Sequence, residues 1–187
     1  RLDGLEEALR IIKGVLAGEK VTLEGKHYRV KDAFCHPVPL QKGGLPIMIG
    51  GEGRKVLLRI VAEYADMWNA FGSPARMREL IDVIRAHGDR VRRDTDAIEK
   101  TVMLPLCYTP DKELQNMIVS LLAAAFGAPP EHMRGQMIVG GKEECLDQIR
   151  AYVDAGVTHF IFMCIAPYPH DQIQGFAEEV APIARTF

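Results

Sequence analysis

The sequence predicts an α/β fold in which a parallel sheet is covered by helices. From residue 45 onward, short apolar runs alternate with amphipathic segments of helical period. Parallel strands covered on both faces have this continuous apolar character, and a helix usually makes the crossover between them. The 187 residues are enough for one sizeable core. This order of segments is typical of a small doubly wound sheet or of half an eight-stranded barrel.

Composition and charge exclude several classes of function. The net charge is −2, so there is no basic excess for nucleic acid. No apolar run approaches the roughly 20 residues that span a bilayer, which predicts no membrane partner. The cysteines are widely spaced without a C-x-x-C pair, which indicates free thiols in a reducing cytoplasm rather than a zinc site. They are Cys35, Cys107, Cys145 and Cys164.

The first 44 residues predict a helix followed by an insertion. Apolar residues at steps of three and four indicate an amphipathic helix over residues 1–18, ending near Gly18. Residues 19–44 are predicted to form a short β-hairpin that turns at Glu24-Gly25, followed by an irregular surface loop. The chain begins at Arg1 inside a helical pattern, which suggests a fragment or a processed chain.

Residues 45–187 predict four strand–helix units in a single domain with the first 44 residues. The predicted strands cover residues 45–49, 66–71, 99–108 and 159–164. A helix is expected after each strand, and one more is expected over residues 142–155, after a linker. Pro105 predicts a bend in the third strand. Pro182 predicts a kink or an early end in the last helix.

The stretch Leu45–Lys55 carries the clearest functional signal. An apolar run ends at Ile49, three glycines and two cations follow, and a helical pattern begins at Val56. Glycines let backbone N–H groups approach an anion, and a helix N-terminus adds partial positive charge. The stretch therefore predicts a phosphate site. The alternative is that the glycines only allow the chain to turn, because GGEGRK is neither a Walker A motif nor a complete G-x-G-x-x-G.

Three stretches resemble the luciferase-like monooxygenase family. PIMIGGEGRKVLLRIVAEYADMWN, residues 46–69, is similar to the part of that family from its fifth to its sixth strand. VGGKEECLDQIRAYVDAGVTHFIF, residues 139–162, resembles the closing helix and eighth strand. EGKHYRVKDA, residues 24–33, resembles the insertion before the fifth strand. Within the family the chain looks most similar to the branch that uses the deazaflavin coenzyme F420, with users of flavin mononucleotide (FMN) next.

The resemblance implies a (β/α)8 TIM barrel of which this chain holds the C-terminal half, with the first four strands preceding Arg1. The family's proton-handling residues usually come from those strands, so no catalytic residue is assigned. The resemblance implies that backbone N–H groups of the glycines bind the cofactor phosphate, that two cations add charge, and that two residues of the next strand line the pocket. These residues are Gly50, Gly51, Gly53, Arg54, Lys55, Trp68 and Asn69. Weaker candidates at strand ends are Tyr108, Tyr168 and His170.

Three functions follow as hypotheses. The first is a hydride-transfer oxidoreductase that holds coenzyme F420 or FMN against an organic substrate. The second is a non-catalytic half-barrel that forms a homodimer or a higher oligomer, because open sheet edges and an exposed apolar face favour association. The residues expected to contact water there are those that point inward among Ile47, Ile49, Val102, Leu104, Ile161 and Met163. The third is another phosphate-binding barrel enzyme, for which only Lys100 could form a Schiff base.

Overall fold

The computed structural model describes residues 2–41, 43–164 and 169–187. The helices are α1 (Leu2–Leu16), α2 (Leu57–Tyr64), α3 (Pro74–Val91), α4 (Lys112–Phe126), α5 (Pro130–Arg134), α6 (Lys142–Asp154), α7 (His170–Glu179) and α8 (Ala181–Ala184). The strands are β1 (Val21–Glu24), β2 (Arg29–Ala33), β3 (Met48–Gly50), β4 (Met67–Ala70), β5 (Glu99–Tyr108), β6 (Ile138–Gly140) and β7 (His159–Met163). In this part of the chain no helix is both long and apolar enough to cross a membrane.

The chain divides into two compact units. The first contains Arg1–Trp68 and Ile84–Ile98, and the second contains Asn69–Val83 and Glu99–Phe187. The division falls inside β4 and inside α3. The sequence predicts one domain over residues 1–187, and that stays a prediction.

The hairpin of the first unit turns one step later than predicted. Strands β1 and β2 are antiparallel, with Glu24 opposite Arg29. The turn covers residues 25–28 and is closed by the Gly25 N–H donating to the Tyr28 carbonyl at 2.9 Å. The carboxylate of Glu7 on α1 accepts three N–H groups of this turn, from residues 26, 27 and 28, at 2.8–2.9 Å. This tertiary contact moves the turn away from Glu24-Gly25.

The main sheet has five strands in the order β3-β4-β5-β6, with β7 also pairing with β5. β5 is parallel to β6, with Leu106 opposite Ile138, and parallel to β7, with Met103 opposite Ile161. The prediction of an α/β fold with a parallel sheet is confirmed. The linker predicted to reach Met137 contains the short helix α5, and the apolar residues after it, which were not counted as a strand, form β6. Elements of three and five residues are too short to show a period.

Part of the apolar face expected to contact water is buried. Ile49 is 5% exposed, and Val102 and Leu104 are fully buried, so these three do not belong to a water-exposed inner face. Val102 and Leu104 lie opposite Phe160 and Phe162 of β7. Side chains opposite each other in a parallel pair point to the same face of the sheet. That face is covered by helices, because the aromatic rings of Phe160 and Phe162 pack against α6 and α7.

The other three residues of that set, Ile47, Ile161 and Met163, are half-buried. Strand β5 runs through Pro105 without interruption. The last helix is broken at Val180 into α7 and α8, close to the kink predicted from Pro182. The four cysteines are free thiols, as predicted.

Candidate functional site

The glycine turn, residues 51–56, connects β3 to α2 in the first unit. Gly51 has φ +125°, a backbone conformation that residues with a side chain rarely adopt. A Cβ atom at Gly51 would lie 2.5 Å from Cδ2 of Leu57, and one at Gly53 would lie 3.2 Å from Cβ of Leu57. The turn therefore needs glycine at position 51 for its conformation, and Leu57 occupies the space that a side chain would take.

The N-terminus of α2 is open. The helix follows Val56, whose side chain makes no capping hydrogen bond. Outside the strand ladders, no backbone acceptor is found within the described residues for the N–H of Gly53. Gly53 is exposed and Gly51 is half-buried. Unpaired N–H groups beside a helix N-terminus are suited to binding an anion.

Charged side chains follow the glycines directly. Arg54 and Lys55 are exposed, and Glu52 is half-buried. Two positive side chains and one negative side chain leave this segment with a net charge of +1. The positive charge reinforces the partial charge of the helix terminus, so the local field favours an anion.

Two side chains hold the carbonyl groups of the turn. The Nε1–H of Trp68, which is fully buried, donates to the Gly51 carbonyl at 2.8 Å. Nε2 of His87 on α3 lies 2.8 Å from the Arg54 carbonyl. A carbonyl oxygen only accepts, so this nitrogen of His87 carries a proton.

These anchors determine where the turn's N–H groups point. The C=O and N–H of one trans peptide unit point in opposite directions. The N–H groups of Glu52 and Lys55 therefore point away from Trp68 and His87. The indole of Trp68 has no exposed surface, and its hydrogen bond holds the Gly51 carbonyl in place. His87 was not found from the sequence, because it lies 33 residues from Arg54 and no motif includes it.

Helix α2 is fixed on α1 by an ion-pair network. Arg59 donates to Glu6 at 2.8 Å and to Glu63 at 2.9 Å. The hydrogen bond from Arg59 is the main cause that lowers the pKa of Glu6 below its usual value. The same bond is the main cause that raises the pKa of Arg59.

The other end of α2 is capped by Arg93, whose guanidinium donates to the carbonyls of Ala62 at 3.0 Å and Ala65 at 2.7 Å. A cation at this end of a helix binds the unpaired carbonyls and complements the helix dipole. Helix α2 is thus held at its carboxyl end by a side chain, while its amino end is open to solvent.

The predicted site residues are divided between the two units. Gly50 through Lys55 and Trp68 lie in the first unit, where the structure brings the turn and the indole together. Asn69 belongs to the second unit, and its Oδ1 accepts a hydrogen bond from Thr101 Oγ1 at 2.7 Å. Asn69 is half-buried and Thr101 is fully buried. Whether these residues bind a cofactor stays a prediction.

The weaker candidates have other surroundings. The hydroxyl of Tyr108 donates to Glu179 at 2.8 Å. Burial, together with this bond, raises the pKa of Tyr108 to about 12. His170 is the exposed first residue of α7, and Tyr168 lies outside the described residues. Within residues 2–41, 43–164 and 169–187, no cluster of three or more His, Cys, Asp or Glu side chains could hold a metal ion.

Comparison with known proteins identifies the family. Residues 1–116 match the family described as luciferase-like monooxygenase. The chain belongs to this family. The match covers both the hairpin insertion and the glycine turn, so the resemblance seen in the sequence is confirmed.

A curated relative is the F420-dependent glucose-6-phosphate dehydrogenase of Gordonia bronchialis. It is 24% identical over 212 residues, which cover 99% of this chain and 61% of the relative. The chain therefore spans about three fifths of the length of this relative.

Two solved structures share the fold. One is the coenzyme F420-dependent tetrahydromethanopterin reductase from Methanopyrus kandleri, with a TM-score of 0.79 and 18% identity over 97% of this chain and 63% of that chain. The other is an F420-dependent secondary alcohol dehydrogenase in complex with an F420-acetone adduct, with a TM-score of 0.79 and 18% identity over 96% of this chain and 60% of that chain. At this identity the likeness establishes the fold.

Proposed function

We propose that this chain forms the cofactor-phosphate end of an oxidoreductase that transfers a hydride to or from an organic substrate. The observation that carries the proposal is the open glycine turn, with an exposed Gly53 whose N–H has no backbone acceptor within the described residues outside the strand ladders, beside a helix without a side-chain cap. Among the two possible cofactors, coenzyme F420 is supported by the names of the relative and of the two structural neighbours. FMN is the alternative, and it also carries a phosphate.

The residues have separate parts in this proposal. The N–H groups of Gly51 and Gly53 donate to phosphate oxygens, and Arg54 and Lys55 supply positive charge. When bound, the cofactor supplies the hydride chemistry. Trp68 and His87 keep the turn in one conformation before the cofactor arrives, which reduces the entropy lost on binding.

In this proposal Asn69 is a weaker candidate for cofactor binding than the glycines of the turn. Its hydrogen bond with Thr101 uses the amide oxygen and leaves the amide N–H groups available as donors. The protein would work in the cytoplasm, in keeping with its four free thiols.

Titration with coenzyme F420 and with FMN, followed by absorbance and fluorescence, tests the proposal. We expect Lys55→Met to weaken binding of the preferred cofactor. We expect Val56→Asp to weaken it more, by roughly tenfold or more, because a new carboxylate repels the phosphate and competes for the same N–H groups. Val56 is 37% exposed, so the fold can accommodate the change.

Val38→Asp is the matched control, because it makes the same charge change at another exposed valine, outside the glycine turn. Equal effects of Val38→Asp and Val56→Asp would remove the turn from the site. If neither cofactor binds at near-millimolar concentration, the second candidate is favoured, a non-catalytic chain that self-associates. Its specific support is the exposure of Phe34 and Leu40 on the insertion loop. Sedimentation of the same samples then measures a homodimer or a higher oligomer.

A further inference from the structure

One cavity in the second unit lies at the end of the sheet where barrel enzymes place their chemistry. Its volume is about 310 Å³, at the small end of the range of roughly 300–1,000 Å³ for ligand pockets. Phe71 directly follows β4, and Met163 is the last residue of β7. The lining residues are Phe71, Pro105, Phe126, Ala128, His132, Met133, Gln136 and Met163.

Most of the side chains that line this cavity are apolar. Phe71 is 42% exposed and Phe126 is 58% exposed, so two aromatic side chains present surface to solvent. Met133 is buried and Met163 is half-buried, and their thioethers adapt to varied apolar shapes. A ligand that covers the two rings would gain free energy in proportion to the apolar area it removes from water.

One hydrogen-bonded pair supplies the polarity. His132 Nε2 lies 2.6 Å from the side-chain amide of Gln136. These are the only side chains with hydrogen-bonding nitrogen or oxygen atoms among the described residues that line the cavity. A side-chain amide has an oxygen and a nitrogen, and the contact with His132 uses one of them. The other is left to hydrogen-bond one hydroxyl or carbonyl group of a ligand.

We propose that this cavity binds the organic substrate, and that the substrate is a neutral, mostly apolar molecule with a single hydroxyl or carbonyl group held by Gln136 and His132. Calling the ligand the substrate rests on the proposed function, whereas its binding does not. A sugar phosphate does not fit, because its negative charge needs a cation as partner. No Lys or Arg lines the cavity within the described chain, and the nearby Arg134 donates to Asn116 at 2.7 Å.

The test uses 1-phenylethanol, its hydrocarbon counterpart ethylbenzene, and glucose 6-phosphate as probes, without any cofactor. Binding is followed by NMR of ¹³C-labelled methionine methyl groups, with Met133 and Met163 as reporters on the cavity wall. We expect 1-phenylethanol and ethylbenzene to shift both methyl signals, and glucose 6-phosphate to shift neither.

Two variants separate the polar pair from the apolar wall. Gln136→Leu keeps the side chain's size but removes the hydrogen bond. It should lower the affinity for 1-phenylethanol by roughly threefold to tenfold and leave the affinity for ethylbenzene unchanged. Phe126→Ala should lower the affinity for both probes by roughly tenfold. Leu121→Ala is the matched control, because it shortens another exposed apolar side chain of α4 that does not line the cavity.

Each remaining outcome counts against the inference. It is overturned if 1-phenylethanol leaves Met133 and Met163 unshifted, if glucose 6-phosphate shifts them, or if Gln136→Leu affects both neutral probes equally. The cofactor titration is independent of these signals. If a cofactor binds but the probes do not shift the methionine signals, only this inference is rejected. If the probes bind but neither cofactor does, only the proposed function is rejected.

Discussion

Two turns of this chain share a strand–Gly–Gly–helix pattern, but only one of the two helices that follow has its amino end capped by a carboxylate. One follows β3 at Gly50-Gly51, and the other follows β6 at Gly140-Gly141. Both contain a glycine in the left-handed region, with φ +125° at Gly51 and φ +146° at Gly140. After Gly141 helix α6 begins at once, whereas the glycine turn runs through residues 51–56 before α2 begins.

The turn before α6 is closed by a side chain of its own helix. Oε2 of Glu144 accepts the Gly141 N–H at 3.0 Å, and Oε1 pairs with Lys112. The hydrogen bond from Lys112 is the main cause that lowers the pKa of Glu144, and the Gly141 N–H adds to it. A carboxylate thus already occupies the position that an anion would take. The turn before α2 has no such cap, and this difference makes only the first turn a phosphate candidate.

The comparison teaches that two glycines before a helix do not by themselves predict an anion site. The deciding feature is whether a carboxylate of the first helical turn caps the N–H groups. At the corresponding third position of α2 the chain has Arg59, which pairs with Glu6 on α1 instead. The amino end of α2 therefore has no capping carboxylate from its own first turn.

The largest expected effect separates the glycines of the two turns. Gly51→Ala should lower the free energy of unfolding by about 1–3 kcal/mol, because φ +125° strains any residue with a side chain. Gly141→Ala should change it by less than about 0.5 kcal/mol. Gly141 has φ −78° and its nearest neighbours lie 4.0 Å from an added Cβ. Urea denaturation measures both, and similar losses would contradict the conformational argument.

An intermediate effect is expected at the capped turn. Glu144→Ala should lower the free energy of unfolding by about 1 kcal/mol, because the Gly141 N–H loses its acceptor. Glu143→Ala is the matched control, since Glu143 also lies in the first turn of α6 but has no part in the cap. Thermal and urea denaturation should therefore rank the two variants. If both variants lose the same stability, the general charge of the first turn matters and the cap does not.

The smallest effect is expected on acidification. Hydrogen bonds from Arg59 lower the pKa of Glu6 in the folded chain below its unfolded value, near 4.5. The stabilisation from Glu6 is therefore complete above that value and is lost as the pH falls through the folded pKa. Glu6→Gln should flatten the dependence of the melting temperature on pH in this acid range. An unchanged pH profile in Glu6→Gln would show that the network on α2 adds nothing measurable.

Periodic segments of the chain were predictable, and short ones were not. Strand β5 has the predicted limits and helix α1 ends within two residues of them, because their apolar patterns extend over several periods. Strand β6 and helix α5 were missed because three and five residues carry too little pattern. The helix was predicted to begin at Val56, but α2 starts at Leu57 and Val56 is exposed. A single boundary residue depends on turn geometry that periodicity does not report.

The sequence by itself determined the α/β class, the family and the position of the glycine turn. These depend on local patterns of apolar residues and glycines, which can be recognised in the sequence without knowing which distant residues are in contact. Only the tertiary structure decided that His87 and Trp68 hold the turn from outside the motif. It also decided that Lys112 pairs with Glu144 at the other glycine turn. Such pairings join residues far apart in the chain, so no local pattern can predict them.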